Sequence, residues 1–338
     1  MKKFEIICSE SVLSGFLEDY ISDIQKLEQD INEIQVLTFW KQILFKESDL
    51  IVDISYDRWE ELFRTNQLVR ILEKASQGGG SKIQILPGII DFYSENKMFG
   101  EFTSLLCLTD KKCDELSTKY GRLFISRSNM KNIGKILFQE SIFIISKTSN
   151  KTLKSWKELS FGSIPSTDIV LIDNFILNKE GLENIIELIK GIITKNQQSV
   201  TIKISIITAL FNETLPQIKE IGNSWHFNFT RNLNEHFKGF VFNVSLAIFS
   251  NKSLNHDRTL LTNYVWIDSD YGFNCFNNRG LPKVTTTVKY LPIFATSGNH
   301  NSAVSSYNCW IEFRNHAKQL IKNSAFKIGE FESNLLLK

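Results

Sequence analysis

The chain has 338 residues, of which 42% are hydrophobic and 22% charged, a globular composition sized for one large α/β domain or two smaller ones. A formal net charge of +2 excludes a global basic field, so any anion site has to be a local cluster. The five cysteines are odd in number and form no CxxC pair, which argues against a disulfide framework or a closed zinc site; no metal and no cofactor are expected. The apolar stretch after Lys2-Lys3 is interrupted by Glu5 and stopped by Glu10, too short for the core of a signal peptide. No stretch reaches the roughly 18 apolar residues of a membrane span, and a cytoplasmic protein is expected.

In chain order, Asp49 to Ile54 reads as a buried strand. A helix follows over Asp57 to Lys74, with apolar positions at Trp59, Leu62, Phe63, Leu68, Ile71 and Leu72. Gly78-Gly79-Gly80 reads as a loop and lacks the Lys-Ser/Thr ending of a phosphate-cradling turn. Ile83 to Leu86 is the next strand. A helix over Asp110 to Tyr120 closes at Gly121, and strands follow at Arg122 to Ser126 and Ile142 to Ser146. Asp53 and Asp57 would suit a metal nuclease, but no further carboxylates assemble with them. This alternation predicts an N-terminal α/β, Rossmann-like domain over residues 1–160.

The second half, residues 161–338, repeats the rhythm. A strand over Ile169 to Asp173 precedes an amphipathic helix over Glu180 to Ile193 and a strand over Val200 to Ile207. A short helix is expected at Leu215 to Ile221, then a strand at Phe240 to Phe249. Asp173 and Asn174 end a strand, where α/β sheets often border a ligand crevice, and are candidate pocket residues. Val284 to Val288 reads as a strand, and Trp310, Arg314 and His316 as part of an amphipathic helix.

The chemistry concentrates between His256 and Phe276. His256-Asp257-Arg258 and Asn263 form the pattern H-x-R-x4-N, and a glycine turn follows at Asp270-Tyr271-Gly272. In a strand, residues two apart share a face, so His256 and Arg258 are expected to point into one pocket. An imidazole there can attack phosphorus or protonate a leaving oxygen. The guanidinium would grip phosphate oxygens as a planar fork. A second such spacing, His236-Phe237-Lys238, lacks the downstream partners and reads as coincidence. Arg279, Lys283 and Lys289 could extend a cationic rim or form an ordinary solvated face.

The pattern resembles the phospholipase D superfamily motif H-x-K-x4-D, with arginine for lysine and asparagine for aspartate. The run through Trp266, Gly272-Phe273 and Phe276 is most similar to the phospholipase D-like C-terminal domain of MIT-domain-containing proteins, which has uncharacterised bacterial relatives. The resemblance covers Asp168 to about Trp310; Ser269-Asp270-Tyr271 stands where the family carries a further glycine. It implies an α/β fold class, with a C-terminal phospholipase D-like mixed sheet flanked by helices beside the Rossmann-like subdomain. It implies His256 as the catalytic residue, and Arg258, Asn263, Asp257 and Gly272 as the phosphate-binding set. The expected ligand is nucleic acid or another phosphate-containing molecule, bound by an intracellular bacterial accessory protein of the kind found in phage defence. Classical members pair two motifs, so a homodimer or a partner protein is expected. Two other readings follow from the same residues: a metal-independent homodimeric phosphodiesterase, and a module for anionic lipid head groups.

Overall fold

Strands apolar on both faces need helices on both sides, and β1 (Phe4–Ser9) and β2 (Ser48–Asp53) are of this kind, with Ile6, Ile7, Leu50 and Val52 buried. The computed structural model describes residues 4–16, 31–95, 104–107, 110–148, 153–159, 164–193, 200–250, 258–295 and 302–338. It divides into two units, one of residues 1–117, 123–139 and 293–308, the other of residues 118–122, 140–292 and 309–338.

In the first unit, β1 and β2 join β3 (Lys82–Ile85), β4 (Ser104–Cys107) and β5 (Phe124–Ile125) in a parallel sheet of order β3-β2-β1-β4-β5. That is the order of a doubly wound, Rossmann-type sheet. The helices described are α1 (from 10 to at least 16), α2 (Ile31–Gln42), α3 (Tyr56–Thr65), α4 (Gln67–Gln77), α5 (Ile89–Glu95), α6 (Asp110–Tyr120) and α7 (Met130–Phe138). The single helix expected over 57–74 is two. Asn66 adopts an extended backbone, and its side chain accepts the Val69 N–H at 3.3 Å, which caps α4. Gly121 ends α6 at φ 59°, in the left-handed conformation expected of it.

The second unit holds a mixed sheet of order β13-β9-β8-β7-β10-β11-β12-β6. Its parallel centre is β7 (Asp168–Ile172), β8 (Thr201–Ala209) and β9 (Val241–Phe249), linked by α8 (Lys179–Ile192) and α9 (Leu215–His236). The strands β10 (Thr259–Thr262), β11 (Val265–Ser269), β12 (Thr286–Pro292) and β6 (Ser141–Ile145) continue antiparallel from β7. On the far side, β13 (Phe326–Ile328) pairs antiparallel with β9. The chain crosses between units several times; the crossing at residues 139–140 puts β6 in the second unit, where it pairs with β12.

The expected short helix at 215–221 is in fact the 22-residue α9. Its apolar positions Ile218, Trp225, Phe229 and Leu233 keep helical spacing and are buried. Gly222 sits among them because a Cβ there would stand 2.5 Å from the Phe326 ring. At the start of α9, the Gln217 side chain accepts the Thr214 N–H at 2.9 Å. The helix around Trp310, α10 (Ala303–Lys322), is present, and Trp310 Nε1 donates to the Thr262 carbonyl at 3.3 Å. Among the described residues, no helix is long and apolar enough to cross a membrane.

Candidate functional site

Strand register brings Arg258 and the ends of the parallel strands β7 and β8 to one end of the second sheet. Thr259 opens β10 opposite Ile172, the last residue of β7, and Ile172 is paired with Ile207 near the end of β8. Arg258 and Asp173 are each one residue beyond the Thr259–Ile172 pair. The returning strand β11 ends at Ser269, so the Asp270–Gly272 turn comes back to the same end.

Asp173 is fully buried and anchors that turn. Its carboxylate accepts the Phe175 N–H at 2.9 Å and the Phe273 N–H at 2.7 Å. Gly272 has φ 98°, and a Cβ there would stand 2.7 Å from Asp173 Oδ2. Glycine is thus required twice, by the backbone conformation and by the close carboxylate. Burial pushes the Asp173 carboxyl above its ordinary pKa; the two backbone donors and the Arg258 charge pull the other way without reversing the shift.

The turn is closed by further bonds. The Gly272 carbonyl accepts the Ser269 hydroxyl at 2.6 Å and the Cys275 thiol at 2.8 Å. The Tyr271 N–H donates to Thr286 Oγ1 at 3.0 Å, and the Asp270 N–H to the Thr287 carbonyl at 3.1 Å. Burial, then the Asp173 charge, pushes the Cys275 thiol up to about 12, so it stays protonated as a donor and is no nucleophile at neutral pH.

Arg258 is half-buried against this turn. Its Nη1 donates to the Asp270 carbonyl. Its guanidinium carbon lies 5.4 Å from the centroid of the Phe175 ring and 5.6 Å from that of Tyr271, both cation–π distances. The guanidinium is therefore positioned by one hydrogen bond and two rings. Its fork carries five N–H donors in all. Neither ring was singled out from the sequence; their signal was adjacency, since Phe175 follows Asp173-Asn174 and Tyr271 precedes Gly272.

Several sequence expectations change. Asn263 does not line this site. It is fully buried beyond the other end of β10, where its Oδ1 accepts the Thr167 and Asp168 N–H groups at 2.8 and 3.0 Å and its Nδ2 donates to Asp168 at 3.2 Å. A side chain so occupied holds the entry to β7 in place and has no phosphate-binding role. Asp168 is buried there too, 3.6 Å from Arg122 and 3.8 Å from Lys203. Gly272 contributes a turn conformation and no side-chain contact. Lys283 is not a free rim cation, since its ammonium is 2.8 Å from both Glu180 and Asn274 Oδ1. His236 ends α9, so it shares no strand face with Lys238. In the first unit, the Asp53 carboxylate accepts the N–H groups of Gly88 and Ile90 at 2.7 and 3.0 Å, a loop-capping role. Asn174 is half-buried beside Asp173, at the site. His256 and Asp257 lie outside the described residues.

Two clefts flank α8 and α9. One, of about 590 Å³, is lined by residues that include Leu177, Asn178, Trp225, Asn228 and Arg231. The other, of about 570 Å³, includes Asn184, Asn232, His236 and Asn277.

No protein-family model matches the chain, and no curated protein sequence matches it either.

Proposed function

We propose that the second unit is a phospholipase D-like module that binds a phosphate-containing polyanion through Arg258. The observation that supports it best is the guanidinium held at the end of a mixed sheet by the Asp270 carbonyl and by two rings. A cation whose rotamer is already restricted loses less entropy when it grips an anion. Arg258 and the glycine turn, both of which the resemblance carries, meet through the Asp270 carbonyl, and the Asp173–Gly272 contact gives that turn its shape. On this reading the chain is an intracellular accessory protein of a bacterial system such as phage defence. A partner protein or a second copy of the chain supplies what one motif lacks.

The test is binding of a labelled polyphosphate chain across a salt series. Binding should weaken steeply with salt, and Arg258→Ala should weaken it further and reduce the salt slope. Equal binding by wild type and Arg258→Ala, both folded, contradicts the proposal.

A further inference from the structure

Two aromatic rings beside a phosphate-binding cation do more than position it. Phe175 is 52% exposed and Tyr271 51% exposed, although both lie against the guanidinium. An aromatic ring recruited only for packing would be covered, and these keep about half of their surface open. Taking the phosphate-binding reading of Arg258 as given, we infer that the ligand is a single-stranded nucleic acid whose bases stack on Phe175 and Tyr271 while a linking phosphate meets Arg258.

The chemistry separates this ligand from two others. In a duplex the bases stack on one another, so a ring reaches a base face only by unstacking a step, a cost that an unpaired strand does not carry. An unpaired strand offers every base face, and an arginine between aromatic positions meets its backbone. A lipid surface would bury the two rings in hydrocarbon, but it would take their polar surroundings with them. The Phe175 carbonyl already accepts from the side-chain amides of Asn178 and Asn274, both at 3.3 Å, and Asn174 adjoins it in the chain. Burying such amides in an apolar phase is costly. They suit a wet, polar ligand. The same unit carries a cleft of about 590 Å³ whose walls include Asn178, Lys179, Asn228 and Arg231 along with Glu183 and Glu220.

The experiment uses the full chain and four probes: a fluorescently labelled 12-nucleotide single-stranded DNA, the matching RNA, the corresponding DNA duplex, and phosphatidylserine vesicles. Anisotropy should show tighter binding to one or both single strands than to the duplex. Phe175→Leu and Tyr271→Leu keep apolar bulk without a π-face, and each should weaken single-strand binding about 5- to 100-fold. Phe175→Trp and Tyr271→Phe should restore it, and in the two Leu variants duplex binding, which depends on the rings only through their hold on Arg258, should fall less than single-strand binding. Equal losses for single strand and duplex, or no loss in the Leu variants, overturn the inference while leaving an anion site at Arg258. Vesicle binding lost in the Leu variants, without a single-strand preference, identifies a lipid surface instead and also overturns it. If none of the four probes binds, the phosphate-binding reading fails, and this inference with it.

Discussion

Gly272 and Asp173 are in contact across 99 residues of sequence, and the contact leaves no room for a side chain: a Cβ at Gly272 would stand 2.7 Å from Asp173 Oδ2. A helix-ending glycine can be replaced at the cost of its φ alone, but here both the backbone and the carboxylate would have to move. Gly272→Ala should therefore destabilise the second unit by about 2 kcal/mol or more. Urea unfolding checks this, with Gly280→Ala as the comparison, since Gly280 has φ 73° but nothing within 4 Å of its Cβ position. Equal costs at the two glycines would mean that the Asp173 contact adds nothing.

Asp173 has a pKa raised in the folded chain, chiefly by burial. The folded state then holds a proton that the unfolded state has already released. The stability this lends is complete below the unfolded pKa and is lost as pH rises through the folded one. Asp173→Asn has no carboxyl to titrate. Measured from about pH 4 upward, the wild type should lose stability relative to this variant; parallel curves would rule the effect out.

Asn263 satisfies two backbone N–H groups and donates to a buried carboxylate. Asn263→Ala should cost about 2–4 kcal/mol by leaving buried polar groups without partners. The folded fraction should bind ligand as well as the wild type. Normal stability with lost binding would return Asn263 to the ligand site.

Hydrolysis is the remaining question for His256. If the site retains phosphodiesterase activity, cleavage should persist in EDTA, follow the population of dimer, and fall at least 100-fold in His256→Ala. A dimeric sample that turns over no phosphodiester leaves binding as the whole activity.

Much of the fold was legible because it rests on local patterns. The run Ile169-Val170-Leu171-Ile172 and the spacing of α8 each specify one element, and Gly121 announces a helix end. Two features were hidden for opposite reasons. Gly222-Asn223-Ser224 has poor helix propensity, yet α9 runs through it because Gly222 lets β13 approach and Trp225 is buried one turn on. Asn66 breaks a helix whose apolar spacing continues on both sides, because a capping asparagine outweighs the pattern. The motif spacing singled out Arg258 and the glycine turn, and the fold brings the two into contact. It grouped Asn263 with Arg258, because a pattern of types five residues apart cannot show that β10 carries them to opposite ends of the sheet. Phe175 belongs to a distant stretch of chain, and only the pairing of β7 with β10 reveals it as a neighbour of Arg258.

On the proposed reading, the Arg258 guanidinium is an anion grip held ready by Asp270, Phe175 and Tyr271. The most direct measurement compares polyanion affinity at low salt for wild type, Arg258→Lys and Arg258→Ala, each first confirmed as folded by its unfolding midpoint. A graded order is expected, with lysine intermediate because it keeps the charge but loses the planar fork. Three equal affinities would contradict it.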